Sequence, residues 1–301
     1  MHLKRVAIID SYEGNGHCFS FPAIMNGWNS HKKHICPYRA IPEYLTKYST
    51  PNLDVEKAFR ATSVWMRDKQ LAQDVSEFAR VTKISMSPLE AIKDCDVAFL
   101  LNDEPDDRNS LLNTLISTGK PIFVDKLLTR RASELSEIRT SQILENQIFS
   151  ASGMKYAPVF DALVPFLETG ETYITVPKSW PLYGIHAVEL FLHPTLLGHA
   201  SYEVIGDSNS MGLAGRILKI VVSSQSTNRR SLVYLEASGQ IDTPFSVKQI
   251  SLEGVESYFE LKNPFLAFVR MILDFYDYLE SNARVHQYWS NQRSALEILS
   301  R

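Results

Sequence analysis

Over the first 125 positions, short apolar runs alternate with polar and glycine-bearing stretches. "RVAIID" (5–10) has the length and apolarity of a buried strand. "FSFPAIMNGW" (19–28) reads as a short helix, with Pro22 tolerated only in a first turn. "HICPYRA" (34–40) predicts a second strand with Pro37 near its end, and "VTKIS" (81–85) a further one. "SPLEAIKD" is a helix capped by Ser87 with Pro88 at its first position. "DVAFLLN" (96–102) and "PIFVD" (121–125) are near-continuous apolar strands. Between them "PDDRNSLLNTLISTG" is a helix, acidic at its start and closed by Gly119. Buried strands alternating with helices predict a Rossmann-like doubly wound parallel sheet, the first domain, over 1–126.

The pattern changes after Lys126. "LTRRASELSEIRTSQIL" (128–144) is an amphipathic helix, "QIFSASG" a strand, and "APVFDALVPFLETG" a helix ending at Gly170. "YITVP" is a strand, and "YGIHAVELFLHPTLLG" opens a helix limited by Pro194. The strand-rich stretch that follows contains "YEVIGDS", "RILKIVVSSQ", "SLVYLEAS" and "FSVKQISLEG". "NPFLAFVRMILDFYDYLESN" is a long helix capped by Asn263, and "QRSALEILSR" a last one. These elements predict an α+β second domain over 127–301 with a largely antiparallel open sheet. In open α/β sheets ligands sit at the carboxyl ends of the strands. The loops at Asp10–Gly16, Asn102–Asp107 and Asp125–Lys126 should therefore converge on one crevice.

With 301 residues, 45% of them apolar and 22% charged, the chain has room for one large packed domain or two of ordinary size. A net charge of −3 gives no electrostatic reason to expect nucleic acid or an anionic membrane as partner. No apolar run reaches membrane-spanning length. Three widely spaced cysteines, with no CxxC, fit a reducing cytoplasm better than a disulfide framework.

Three stretches carry candidate chemistry. The first is "DSYEGNGH" (10–17), between a strand and a helix. There Gly14, Asn15, Gly16 and His17 could let the backbone meet a pyrophosphate at a helix N-terminus; a structural turn without ligand is the alternative. The second is "STGKPIFVDKLL", which projects Lys126, beside Asp125, from the end of a buried strand. It could hold a substrate hydroxyl, or simply be a surface lysine opening a helix. The third is "SWPLYGIHAVELF". His186 and Glu189 share a helix face, and a histidine is the natural proton carrier near neutral pH. His186, Glu189 and His193 lack the HExxH arrangement, so a metal is not expected.

Taken together, these stretches resemble the Gfo/Idh/MocA oxidoreductase family, the relatives of glucose–fructose oxidoreductase and inositol dehydrogenase. The family's "AGKxVxxEKPL" corresponds to "TGKPIFVDKLL" here, and its "GxHxxDL" helix to "YGIHAVELF". The "SASGMKYAPVF" segment and the final helices are also similar. The resemblance implies nicotinamide-dependent hydride transfer on a secondary alcohol of a sugar, sugar derivative or cyclitol. Lys126 matches the family's catalytic lysine, His186 its proton-relaying histidine, and Glu189 the acidic position three residues on. Lys155, Tyr156 and Trp180 are candidates to line the substrate site. The resemblance also implies a homodimer or homotetramer, for which the strands from Ser201 to Leu252 could supply an open face.

The sequence departs from the family at definite places. Leu182 stands where many members carry an aspartate four residues before the histidine, and Tyr183 is the candidate substitute. Asp10 occupies the place of the first glycine of the usual GxGxxG and would repel a pyrophosphate unless turned away. Asn102 opens "NDEPDDR" where a proline and a histidine are common. Arg39, at the end of the expected second strand, favours a 2′-phosphate and hence NADP over NAD. These departures leave two alternatives to a dehydrogenase. One is a sugar-binding or regulatory homologue without catalysis. The other is an isomerase, epimerase or hydrolase that recycles a bound nicotinamide.

Overall fold

The computed structural model describes residues 2–10, 16–48, 50–102, 105–126, 128–129, 147–209, 215–281 and 285–300. The helix expected over 128–144 lies almost wholly outside them. The chain forms two compact units, Met1–Ala151 with Phe268–Tyr288, and Ser152–Ala267 with Trp289–Arg301. This differs from the expected division at 126/127. The strand Ile148–Ala151 pairs with Ile122–Asp125, so it completes the first sheet and carries the boundary past it.

In the first unit β1 (Lys4–Asp10), β2 (Phe59–Met66), β3 (Lys83–Ile84), β4 (Val97–Leu100), β5 (Ile122–Asp125) and β6 (Ile148–Ala151) form a parallel sheet of order β3-β2-β1-β4-β5-β6. This is the doubly wound order whose direction reverses between β1 and β4. The connecting helices are α1 (His17–Asn26), α2 (Ala40–Lys47), α3 (Leu53–Ala58), α4 (Lys69–Ala79), α5 (Pro88–Lys93) and α6 (Pro105–Ile116). Register aligns Val64, Ile8, Phe99, Phe123 and Phe149 across five strands. Phe275, from a helix near the C-terminus, lies 5.5–5.7 Å from the rings of Phe59, Phe99, Phe123 and Phe149. The core of this unit is therefore aromatic.

Two expectations fail in the first 60 residues. "HICPYRA" is not a strand. It lies in a 3-10 turn (Ser30–Ile35), opened by Asn29 accepting from the His31 N–H, and in the approach to α2. Pro37 lacks the N–H a central strand needs. The second strand is instead "FRATSVWM" (59–66), paired along its length with β1. Pro22 is the sixth residue of α1 rather than part of its first turn. The helix continues past it without the Pro22 N–H that would have bonded Cys18.

In the second unit the helix expected over "APVFDALVPFLETG" is replaced by 3-10 turns at Gly153–Tyr156, Pro158–Ala162 and Phe166–Glu168. Pro165 has no N–H for an α-helical bond to Asp161, so the segment cannot run through as one helix. Gly170 lies inside β7 (Thr169–Val176), not at a helix end. Then come α7 (Trp180–Phe191), α8 (Pro194–Leu197), β8 (Ser201–Asn209), β9 (Arg216–Ser223), β10 (Arg230–Ala237), β11 (Ser246–Ser251) and β12 (Glu256–Glu260). The sheet order is β12-β11-β7-β10-β9-β8, and only the β7–β10 pair is parallel. α7 packs on β7 and β10, over buried Ile174, Val176, Val233 and Leu235. The opposite face carries a row of aligned Tyr258, Lys248, Tyr173, Tyr234 and Lys219, in which the two central rings stack 4.6 Å apart.

The chain ends with α9 (Phe265–Glu280) and α10 (Val285–Leu299). The Phe265 N–H donates to Asn263 Oδ1 at 2.9 Å, the expected cap. From Phe268 onward α9 belongs to the first unit.

Candidate functional site

Three adjacent strands of the first unit finish in buried polar side chains. Asp10 closes β1, Asn102 follows β4, and Asp125 closes β5, each at most 1% exposed. Lys126 comes next and is half-buried. His17, the first residue of α1, places Nδ1 2.8 Å from Asp125 Oδ2. Its ring stacks on Phe21 at 4.6 Å and meets the edge of Phe268 at 5.0 Å. The start of α1 and the end of β5 are thus joined at the sheet's carboxyl edge. Gly14 and Asn15 lie outside the described residues.

Asp10 is the residue most at odds with a phosphate site. It is fully buried. The Cys18 thiol in the first turn of α1 is held well above its ordinary pKa, chiefly by burial and then by the Asp10 charge. The carboxyl group is thus buried close to that turn. The first turn of α1 contains no acidic residue. Gly16 has a packing reason to be glycine. A Cβ there would come within 2.7 Å of Ile41 Cδ1 and 3.0 Å of Tyr38 Cγ, in the segment that links α1 to β2.

Arg39 does not end a strand. It precedes α2, its side chain is 94% exposed, and it pairs with Glu43 at 2.8 Å. The arginine directly after β2 is Arg67, whose Nη2 lies 2.8 Å from Asp107 Oδ1 on α6. Its neighbour Asp68 caps α4, accepting from the N–H groups of Gln70 and Leu71. Sequence reading missed Arg67 because it missed β2. A cavity of about 220 Å³ lies at this place, lined by Cys18, Ile35, Tyr38, Asp68, Leu71 and Asp74.

In the second unit, α7 holds His186 and Glu189 one turn apart, both buried. Glu189 Oε2 accepts from the Ser152 N–H and pairs with Lys155 Nζ, each at 2.9 Å. Gln292 Nε2 donates to Glu189 Oε1 at 3.3 Å. Lys155 Nζ also lies 5.1 Å from the centre of the Tyr156 ring. Ser152 Oγ is 2.5 Å from His186 Nδ1 and accepts from the Met154 N–H at 3.2 Å. Ser152 lies in the "SASGMKYAPVF" segment, but the sequence gives this serine between a strand and a glycine no role of its own.

The Tyr183 ring lies 5.1 Å from that of His186, and its hydroxyl accepts from Lys178 Nζ at 2.8 Å. Lys178 has a left-handed backbone, φ 57°, fixed by its N–H donating to Gln240 O and its carbonyl accepting from the Gly239 N–H. Leu182 is 53% exposed. Trp180 is 3% exposed and packed on all sides. Its Nε1 donates to Leu299 O, Gly184 lies against its ring, and the Arg216 guanidinium stands 5.5 Å from the ring centre. Trp180, expected to line a substrate site, is thus buried in the packing of the second unit. His193 caps α8. Among the described residues no group of His, Cys, Asp and Glu could hold a metal ion, and no helix is long and apolar enough to cross a membrane.

The structure therefore gathers the candidate residues into two sets. His17, Asp125, Lys126 and Asn102 belong to the first unit; Lys155, Tyr156, Tyr183, His186 and Glu189 belong to the second.

No protein-family model matches the chain, and no curated protein matches its sequence. Solved structures do match its fold. UDP-N-acetylglucosamine 3-dehydrogenase GnnA from Acidithiobacillus ferrooxidans aligns at TM-score 0.63 and 12% identity, over 100% of this chain and 96% of that one. A Gfo/Idh/MocA family oxidoreductase from Vibrio cholerae gives TM-score 0.60 and 13% identity, over 99% and 97%. GenD2 from gentamicin A biosynthesis, in complex with NAD, gives 0.65 and 12%, over 100% and 93%. The chain shares the fold of Gfo/Idh/MocA-type oxidoreductases along its whole length.

Proposed function

We propose that this protein is a nicotinamide-dependent oxidoreductase that transfers a hydride to or from a secondary alcohol of a sugar, sugar derivative or cyclitol. The observation that carries the reading is the joining of Asp125, at the end of β5 and next to Lys126 in the chain, to His17 at the start of α1. In a doubly wound sheet that edge is where a dinucleotide lies. The residues present fit one. Asp10 is fully buried, the first turn of α1 is free of acidic side chains, and the helix N-terminus favours a phosphate. The nicotinamide, when bound, supplies or accepts the hydride.

The chain's own groups have distinct tasks. Lys126 offers an ammonium to the substrate oxygen, with Asp125 next to it in the chain. His186, in the second unit, is assigned the proton transfer through Nε2, because Nδ1 is engaged by Ser152. A positioned acid–base group of this kind contributes about 100- to 10,000-fold. Glu189 holds Ser152 and Lys155 in place through their hydrogen bonds. Arg67, following β2, takes the role first assigned to Arg39. Released from Asp107, it would face the adenosine ribose and favour NADP.

A homodimer or homotetramer would use the open face of the second sheet, where the Tyr–Lys row offers aromatic area and charge to a second copy.

Fluorescence titration with NADH and NADPH tests the reading, since the chain has four tryptophans. Saturable quenching by one cofactor, followed by turnover on a panel of hexoses, cyclitols and nucleotide sugars, is the expected result. Absence of quenching by both would overturn it.

A further inference from the structure

The hydrogen-bond capacity of Ser152 decides where His186 carries its proton. A serine hydroxyl has one hydrogen to give and two lone pairs to receive with. Ser152 is fully buried. Its oxygen already accepts from the Met154 N–H, and its other side-chain contact is His186 Nδ1. The backbone N–H of Ser152 is committed to Glu189 Oε2. Two arrangements are open to a neutral imidazole. If Nδ1 carried the hydrogen and donated to Oγ, the hydroxyl hydrogen of Ser152 would have no acceptor within reach. A buried donor left unmade costs about 1–3 kcal/mol. If instead Oγ–H donates to Nδ1, the donor and both used lone pairs of Ser152 are satisfied and the ring proton sits on Nε2.

We propose that Ser152 is the positioning residue of His186. It holds the neutral ring as the Nε2–H tautomer, so that the imidazole presents a donor, not a lone pair, to a substrate oxygen. Ser152 acts through His186 and touches no substrate. The surroundings reinforce this choice. Glu189, the carboxylate on the same face of α7, is taken up by Ser152, Lys155 and Gln292, while Tyr183 meets His186 by ring contact and has its hydroxyl bonded to Lys178. Leu182, on the preceding turn of α7, has an apolar side chain and offers no acceptor for an Nδ1–H. A neutral imidazole that donates is suited to holding a carbonyl oxygen or a developing alkoxide, as neutral histidines do elsewhere. That last consequence, and no other part of the proposal, rests on the oxidoreductase reading above.

The test is the tautomer itself, read on the full chain labelled with ¹⁵N-histidine. Two-bond ¹H–¹⁵N correlation at alkaline pH separates the two ring nitrogens, and His186→Gln identifies the spin system among the eight histidines. In the wild type Nδ1 should resonate as the unprotonated nitrogen and Nε2 as the protonated one. Ser152→Ala should abolish that preference. A wild-type spectrum with the proton on Nδ1 overturns the proposal even if the variant fails to fold, and so does an unchanged tautomer in folded Ser152→Ala. For activity, Ser152→Ala should lower kcat about tenfold and leave KM within about twofold, as expected when a catalytic group loses its orientation. An Nε2–H ring in a protein that turns over no sugar, cyclitol or nucleotide sugar would defeat the oxidoreductase reading and leave the Ser152 assignment standing.

Discussion

His17 in the first unit and His186 in the second both engage a neighbour through Nδ1, and the two neighbours impose opposite polarity. Asp125 is a carboxylate and, ionised, can only accept. His17 must therefore donate from Nδ1, and its neutral ring carries the lone pair on Nε2. Ser152 donates, and His186 carries the proton on Nε2 instead. The environments differ in the same sense. The His17 side chain is 20% exposed at a helix start, whereas His186 lies buried on the inner face of α7. A histidine on a helix, bonded at Nδ1, is thus not one motif. The partner's chemistry decides whether the ring's other nitrogen gives or receives.

The sharpest way to break this comparison is to remove the groups assigned to chemistry. Lys126→Ala and His186→Ala should each fold, keep cofactor quenching and lose turnover about 100-fold or more. Retained activity in both would end the assignment of roles. Next comes the His17 pair. Asp125→Ala removes a charge-assisted bond of about 1.5–3 kcal/mol, so dissociation constants for NADH or NADPH should rise about 10- to 100-fold. An unchanged constant would make the pair a matter of stability alone. A third variant separates packing from recognition. Gly184→Ala brings a Cβ within 2.7 Å of the Trp180 ring. Overpacking of this kind costs about 1–3 kcal/mol, measurable by urea unfolding, and His186 on the same helix should lose turnover in proportion to any shift of α7. The smallest effects concern cofactor choice. Arg67→Ala should change the NADPH-to-NADH affinity ratio about tenfold, the order of one charged hydrogen bond. Arg39→Ala should leave it unchanged, because that side chain is spent on Glu43 in solvent. The reverse outcome would return the second-strand role to Arg39.

How far the fold was legible follows from residue chemistry. The buried runs at "RVAIID", "DVAFLLN" and "PIFVD" have no competing reading, and they are β1, β4 and β5. β2 was hidden because "FRATSVWM" mixes Arg60, Thr62 and Ser63 into an irregular burial pattern, behind an extra segment carrying α2 and α3. The miss displaced the arginine after β2 by 28 positions, from Arg67 to Arg39. Over 158–168 the spacing of apolar residues suited a helix, and the two prolines prevailed. His186 and Lys126 were singled out only because "YGIHAVELF" and "TGKPIFVDKLL" resemble family motifs in combination; each alone reads as an ordinary helix histidine or surface lysine. Ser152 was not, because its importance lies in hydrogen-bond arithmetic with residues distant in sequence, and a serine in a strand–turn carries no such mark.

The path of the chain has a consequence for its synthesis. β1 through β6 are complete at Ala151, yet the aromatic row on their face is covered by Phe275 of α9. As the protein leaves the ribosome, Phe99, Phe123 and Phe149 lack their Phe275 contacts while the whole of the second unit's sheet is made, although Phe21 of α1 is already there to meet Phe99 and Phe123. Apolar surface exposed in such an interval is what chaperones bind. A fragment ending at Ala151 would lack Phe275 permanently, so the first unit cannot be cut out as a contiguous module.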